Sequence, residues 1–209
     1  MTRRRLFLLG IVVVWLVVLL IAVRTVVDRV QVPLWGNPAW DAEPLALTGD
    51  RTIGQQFTAP WPGLYRIEVG LDRGTATADQ EITFRLKQSP ADKEDLWTAT
   101  FKAGEFEGET APSFEFPLLR NSKGQSFYFY FESTAATPGE AIAVHYSRGA
   151  ALPGASAYLD DQPLSGNLRF QTFYSLRTRD KVDVLLTKMA AGRPYFLGSK
   201  GFYVGLAAL

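Results

Sequence analysis

The sequence predicts a mainly β protein, with an N-terminal single transmembrane helix, an antiparallel jelly-roll-like β-sandwich and one short C-terminal amphipathic helix. Three observations predict this architecture. An uncharged apolar run occupies residues 6–23, period-two alternation recurs about every ten residues between 48 and 147, and an apolar stripe of helical period follows residue 180.

The apolar run has the length and the flanks of a membrane anchor. At a rise of about 1.5 Å per residue it spans about 27 Å, close to the roughly 30 Å hydrocarbon core of a bilayer. Lipid provides no hydrogen-bond partners for the backbone, so the run is expected to be helical. Residues 21–24 contain no small-residue cleavage site, which favours a retained signal-anchor at 6–27 over a cleaved signal peptide.

The basic flanks predict the orientation of this anchor. Arg3, Arg4 and Arg5 precede it within a basic tail at 1–5, whereas the two arginines that follow it are offset by Asp28. The positive-inside rule therefore places the N-terminus in the cytoplasm and residues 31–209 on the extracytoplasmic side of the cell membrane.

Charge is unevenly distributed beyond the anchor. Residues 31–168 hold ten Lys/Arg against eighteen Asp/Glu, a net charge of −8, and residues 169–209 hold seven against two, a net charge of +5. The acidic body argues against nucleic acid as a partner, because such binding requires a basic surface. The basic C-terminal part fits a solvated face, anionic headgroups or an acidic partner equally well.

Residues 28–47 are expected to form an extended linker. Pro33, Pro38 and Pro44 forbid a long helix there. Trp35 and Trp40 suit either the membrane interface or the base of the following domain, and the sequence leaves both open.

Residues 48–176 are expected to form the extracytoplasmic sandwich. Within 125–132 the alternation points Phe127, Phe129 and Phe131 to one face and Tyr128 and Tyr130 to the other. Seven or eight such segments imply a jelly-roll-like or immunoglobulin-like topology, and the lack of a Cys-Trp-Cys framework favours the jelly roll. The segments are 52–58, 64–71, 81–88, 96–102, 113–116, 125–132, 141–147 and 168–176.

Several of these segments carry a family resemblance. The stretches 52–57 (TIGQQF), 63–69 (GLYRIEV), 116–119 (FPLL) and 121–125 (NSKGQ) are similar to extracytoplasmic β-sandwich domains of uncharacterised bacterial membrane-anchored proteins, some linked to membrane glycosyltransferases. The resemblance covers about residues 55–150. It implies a fold and a location, and it suggests an assembly role in glycan transfer.

Residues 177–209 are expected to form a short helix and an apolar tail. Asp180 is a suitable N-cap and Gly192 a suitable C′ residue for a helix at about 181–191. Its apolar stripe comprises Val182, Leu185, Leu186 and Met189. The tail at 201–209 is too short to span a bilayer, and a last strand, a membrane stub and an inter-subunit peptide all remain open.

The sequence offers no constellation for catalysis. His145, the sole histidine, is expected on the polar face of its strand and cannot build the usual His/Cys metal site. Without a second base to accompany the serines, a Ser-His-Asp triad is not supported. The spacing of the acidic clusters fits no calcium-binding loop. We therefore expect no enzyme, no catalytic residue, no metal and no cofactor.

Binding remains, and two functional hypotheses follow from the residues. The first is a non-catalytic accessory subunit of a larger membrane protein complex, an energy-transducing one among the options, that contacts lipid and other subunits through Gly10, Trp15, Phe202, Tyr203, Val204 and Leu206. The alternative is a carbohydrate- or envelope-binding module that stacks glycan on Trp61, Tyr128 and Tyr130. Cross-strand pairing of the two tyrosines is the competing structural explanation.

Overall fold

A computed structural model describes residues 35–37, 41–106, 111–134, 139–149, 152 and 154–190, together with 15, 198–199, 201–202 and 205. The chain divides into two compact units. One comprises Met1–Val32 with Leu176–Leu209, and the other is Pro33–Ser175.

Within its described residues the unit Pro33–Ser175 contains fifteen strands and one 3-10 helix, Ala103–Phe106. The strands are β1 (Trp35–Asn37), β2 (Leu45–Leu47), β3 (Ile53–Thr58), β4 (Leu64–Val69), β5 (Leu71–Asp72), β6 (Glu81–Lys87), β7 (Trp97–Lys102), β8 (Ser113–Leu119), β9 (Ser126–Ser133), β10 (Ile142–Val144), β11 (Tyr146–Ser147), β12 (Ser156–Leu159), β13 (Gln162–Leu164), β14 (Asn167–Leu168) and β15 (Phe170–Tyr174). The other unit contains helix α1 (Thr178–Ala190).

The strands form two main antiparallel sheets, which confirms the predicted mainly β, sandwich-like architecture. A six-stranded sheet has the order β13-β12-β3-β9-β6-β7, and a four-stranded sheet has the order β1-β15-β4-β8. Two smaller sheets, β2-β10-β5 and β11-β14, complete the described pairings.

Phenylalanines pack between the two main sheets. Phe84 on β6 stacks on Phe114 of β8 with ring centroids 4.4 Å apart, and Phe57 on β3 lies 5.6 Å from Phe170 on β15. Aromatic pairs of this kind contribute about 0.5–1.5 kcal/mol beyond the area they bury. The predicted inward residues of β9, namely Phe127, Phe129 and Phe131, are all at most 1 % exposed.

Three strands meet where β4 ends, and their backbones form a closed ring of hydrogen bonds. Gly70 N donates to Arg169 O at 2.7 Å, Arg169 N to His145 O at 2.8 Å, and His145 N to Gly70 O at 2.8 Å. A Cβ on Gly70 would lie 2.7 Å from Arg169 Cδ, so a larger residue there would require the Arg169 side chain to shift. His145 is 6 % exposed because it lies inside this junction, and the expectation that it faces solvent was wrong.

The predicted linker at 28–47 contains two short strands that pair with the sheets, whereas an extended segment without strand pairing was expected. Strand β1 pairs with β15, with Trp35 opposite Thr172, and β2 pairs with β10. The prolines bracket these short edge strands, where a missing N–H is tolerated.

Helix α1 begins at Thr178, earlier than expected, and Asp180 lies in its first turn instead of at the cap. The helix buries Val184 to 8 % exposure, whereas Val182 of the predicted stripe is 39 % exposed. Val182 is therefore not part of the buried face, and Leu186 of the predicted stripe is half-buried. Among the described residues no helix is long and apolar enough to cross a membrane. The predicted anchor at 6–27 lies outside these residues, apart from Trp15.

Candidate functional site

The outer face of the six-stranded sheet carries a row of three tyrosines, which we call the tyrosine row: Tyr158 on β12 and Tyr128 and Tyr130 on β9. The rings of Tyr128 and Tyr130 are stacked, with centroids 5.4 Å apart and planes 15° apart. Tyr158 meets Tyr128 edge-on at 5.3 Å. Strand alternation explains the row, because the phenylalanines between these positions point into the core.

Tyr128 fills a surface recess that a glycine creates. Its ring lies over Gly54 of β3, where an added Cβ would come within 2.6 Å of the ring carbon Cε2. Tyr128 is 2 % exposed, and burial raises the pKa of its phenol. Its Oη has no hydrogen-bond partner within the described part of the chain. A buried hydroxyl of this kind is expected to form a hydrogen bond with any ligand or solvent group that can reach it.

Charged side chains continue the row across β6. Lys87 Nζ lies 5.0 Å from the centroid of the Tyr130 ring, a cation–π distance. Arg85 binds Asp95 at 2.6 Å and Glu132 at 2.8 Å, and these two hydrogen bonds raise the pKa of its guanidinium. The network holds the charged groups in fixed positions beside the aromatic rings.

Amide and hydroxyl groups border the other side of the row. Tyr158 Oη donates to Gln56 Oε1 at 2.9 Å, and Gln56 Nε2 donates to Ser126 Oγ at 3.1 Å. Gln88 Nε2 donates to the Ser126 carbonyl at 2.9 Å. The outer face thus combines rings, amides, hydroxyls and charges, a donor set that suits a polyhydroxylated ligand.

The burial of the rings limits how such a ligand would bind. Tyr128 is almost fully covered, and Tyr130 lies between Tyr128 and Lys87. Tyr130 and Tyr158 are half-buried. The row therefore offers ring edges and hydroxyl groups more than open ring faces, which favours hydrogen bonding over stacking.

The structure brings Tyr128 and Tyr130 together and places the third predicted stacking residue elsewhere. Trp61 lies in the turn between β3 and β4, half-buried, with Lys123 Nζ 6.0 Å from its ring centroid. Its carbonyl accepts a hydrogen bond from Ser122 Oγ at 2.8 Å.

Most of the predicted partner contacts fall outside the described residues, namely Gly10, Tyr203, Val204 and Leu206. Trp15 is 69 % exposed. Phe202 is partly exposed, and its N–H donates to the Ser199 carbonyl at 3.3 Å.

Tyr158 of the tyrosine row, and Gly54 and Lys87 beside it, were not predicted as site residues. Lys87 lies on the polar face of a correctly predicted strand, so alternation along that strand could have identified it as an outer-face residue. The pairing of β12 with β3 places Tyr158 opposite Gly54, and only this pairing brings the two residues to the site. Within the described residues no three His, Cys, Asp or Glu side chains are close enough to hold a metal ion.

Comparisons with known proteins give little help. No family model and no curated protein matches the chain. A crystal structure of the Yersinia pseudotuberculosis-derived mitogen is similar over 67 % of this chain and 89 % of its own, with 6 % identity and a TM-score of 0.30. A likeness of that degree supports no argument about this chain.

Proposed function

We propose that the chain is a non-catalytic accessory subunit of a larger membrane protein complex, anchored by one helix, with its β-sandwich on the extracytoplasmic side. The strand connectivity carries the proposal. Strand β1 opens with Trp35 opposite Thr172, and β15 closes with Tyr174 opposite Leu64. The sandwich therefore receives and releases the chain at one end, as expected of a domain tethered to a membrane.

Native mass spectrometry of the full chain, extracted from its own membrane in a gentle detergent, tests this role. We expect a discrete assembly of fixed stoichiometry. We also expect its loss in Val204→Asp or Leu206→Asp, because a charge in an apolar contact is costly. Thr77→Asp, at an exposed loop position, is the matched control and should leave the assembly intact. A lone 23.2 kDa species from the unaltered protein would contradict the proposal.

A second candidate is a carbohydrate- or envelope-binding module, and the tyrosine row favours it. The row places the Tyr158 hydroxyl beside Gln56 and the Tyr128 ring over Gly54 on one sheet face, next to fixed charges on β6. Pairings between strands distant in sequence, such as β3 with β9 and β12, support the jelly-roll description, since Greek-key connections produce them. The family resemblance adds glycan transfer as a setting in which such a module assists assembly.

Retention of the full chain, held in lipid nanodiscs, on an array of envelope polysaccharides tests this candidate. Tyr130→Ala should weaken retention by removing the half-buried ring edge and hydroxyl that the row offers, while Thr100→Ala, on the exposed edge strand β7, should not. Tyr128 is a poor choice for the test, because its removal leaves a cavity beside Gly54 and destabilises the sheet. Equal retention of the Tyr130→Ala and Thr100→Ala variants would rule the row out as the glycan site.

A further inference from the structure

One end of the sandwich, which we call the Trp61 end, combines exposed leucines, a tryptophan and basic side chains. It consists of the turn 59–63, the segment 118–125 and the hairpin turn 88–96, which lie together because β3, β9 and β6 end or begin in register. Thr58 is opposite Ser126, and Lys87 is opposite Tyr128. We propose that the Trp61 end rests on the lipid headgroups of the membrane that anchors the chain, an inference that depends on the proposed anchor.

The path of the chain brings this end close to the membrane. Ser175 N donates to Gly63 O at 2.7 Å, so the last residue of the sandwich unit is tied to the turn that carries Trp61. Strand β1 also starts toward this end, with Trp35 opposite Thr172. Seven residues, 28–34, separate β1 from the predicted anchor, and fully extended they reach about 24 Å. The chain therefore enters and leaves the sandwich at the Trp61 end, within reach of the proposed anchor.

The exposed apolar side chains of the sandwich concentrate here. Leu96 is 46 % exposed and Leu118 is 43 % exposed, and they are the exposed large aliphatic residues in the described part of the unit Pro33–Ser175. Each lies beside one member of an aromatic pair, Trp97 and Phe116, whose ring centroids are 5.9 Å apart. Leucine and tryptophan at the headgroup level are typical of interfacial contacts.

The charge of the 118–123 segment complements an anionic surface. Arg120 and Lys123 are exposed, and no acidic residue occurs between 116 and 131, whereas the turn 88–96 at the same end carries Asp92, Glu94 and Asp95 against Lys93. Lys123 lies over the Trp61 ring at 6.0 Å, so an indole and an ammonium group are presented together. Each basic side chain near an anionic membrane strengthens the contact by about fivefold.

The Trp61 end is also held in place before any contact. Gly124 N donates to Ala59 O at 2.8 Å, Ala59 N to Gln125 O at 2.9 Å, and Gly63 N to Leu119 O at 3.1 Å. These bonds lock the two turns to each other. Because the backbone is already ordered, contact with lipid would cost little further conformational entropy.

Single-cysteine labelling of the full chain tests the inference, since the protein has no native cysteine. Leu118→Cys and the control Thr77→Cys, at the opposite end of the sandwich, would each carry an environment-sensitive fluorophore in vesicles of phosphatidylcholine with a minor fraction of phosphatidylglycerol. We expect a blue-shifted label at 118 that a lipid-attached quencher reaches and aqueous iodide reaches poorly. The label at 77 should show the reverse.

The outcomes separate the inference from the proposed anchor. If the protein fails to float with the vesicles, the anchor itself fails. If it floats and the label at 118 is as accessible to iodide as the label at 77, the headgroup contact is overturned. Protection that persists in detergent and rises with protein concentration would identify a second copy of the chain as the occupant. Lys123→Gln should reduce protection by about fivefold in anionic vesicles and have no effect in pure phosphatidylcholine.

Discussion

The two ends of the sandwich differ in charge and in the way their backbone is held. The opposite end, which we call the Asp79 end, comprises the segments around residues 48–52, 72–81, 102–105, 140 and 160–161, and it is strongly acidic. Its acidic residues are Asp50, Asp72, Asp79, Glu81, Glu105, Glu140, Asp160 and Asp161, against Arg51, Arg73 and Lys102. The Trp61 end instead balances Lys93, Arg120 and Lys123 against Asp92, Glu94 and Asp95, and it presents two exposed leucines. An anionic surface would therefore repel the Asp79 end more strongly than the Trp61 end.

The ends also differ in their internal bonding. At the Trp61 end, backbone groups of the two turns bind each other directly, and the buried Ser122 binds two further backbone groups. At the Asp79 end, backbone groups also bind each other, as in Ala103 N to Gln80 O and Gly104 N to Ala78 O, both at 2.9 Å, and exposed side chains add bonds such as Lys102 Nζ to Asp79 Oδ1 at 3.4 Å. Exposed side-chain bonds of this type contribute little stability. The comparison therefore predicts that the main difference lies in the buried Ser122, which ties two backbone groups together at the Trp61 end.

The largest expected effect on stability comes from replacing Gly63 at the Trp61 end. Gly63 has φ +78°, and a Cβ there would lie 2.7 Å from the Ser175 carbonyl oxygen, so Gly63→Ala should lower the free energy of unfolding by about 3 kcal/mol. Gly124 shares the positive φ, at +74°, but has nothing within 4 Å of its Cβ position. Gly124→Ala should therefore cost only the backbone strain of about 1 kcal/mol. Denaturant melts of both variants measure the difference, and equal losses would show that the steric contact is unimportant.

A smaller effect compares one buried serine at each end. Ser122→Ala removes the acceptor for Leu64 N and the donor to Trp61 O, and we expect a loss of about 2–3 kcal/mol in the free energy of unfolding. Ser133→Ala at the Asp79 end removes the acceptor for Gln80 Nε2, which lies 2.7 Å away, and should cost about 1–2 kcal/mol. Ser113→Ala, at an exposed position, is the control and should be neutral. A larger loss for Ser133→Ala than for Ser122→Ala would reverse the proposed ranking of the two ends.

The sequence predicted the sandwich because strands such as β6 and β9 alternate along most of their length, and the residues of β9 faced the sides expected of them, whereas β4 breaks its alternation at a register shift between Leu64 and Arg66. Pairing between strands could not be predicted, because it depends on contacts between residues about a hundred positions apart, such as Tyr158 opposite Gly54. The same limitation hid the ends of the sandwich. Leu96 and Leu118 are ordinary strand-flanking residues in the sequence, and only the strand order brings them to the end that carries Trp61.

Misplacing His145 had a related cause. Alternation along Ala141–Ser147 predicts a polar face for it, but the chain passes there from its pairing with β5 to its pairing with β14. At such a change of partner both faces of a strand are covered, so period-two alternation no longer predicts which side chains are exposed. A partner switch leaves no local signal in the sequence.

The smallest effect concerns the stability of this junction in acid. Burial and the nearby Arg169 lower the pKa of His145 from 6.5, while Asp72 opposes the shift. The unfolded chain therefore binds a proton more readily than the folded chain, and the junction should be fully stable above pH 6.5 and lose stability as the pH falls below it through the lowered pKa. In His145→Gln that decline should disappear. Amide hydrogen exchange at Gly70, compared with Gly63 at the Trp61 end, measures it locally, and a decline of equal size at both glycines would contradict an effect of this histidine. An effect confined to the junction would instead establish that acid loosens the sandwich where β4 ends and leaves the backbone turns around Trp61 intact.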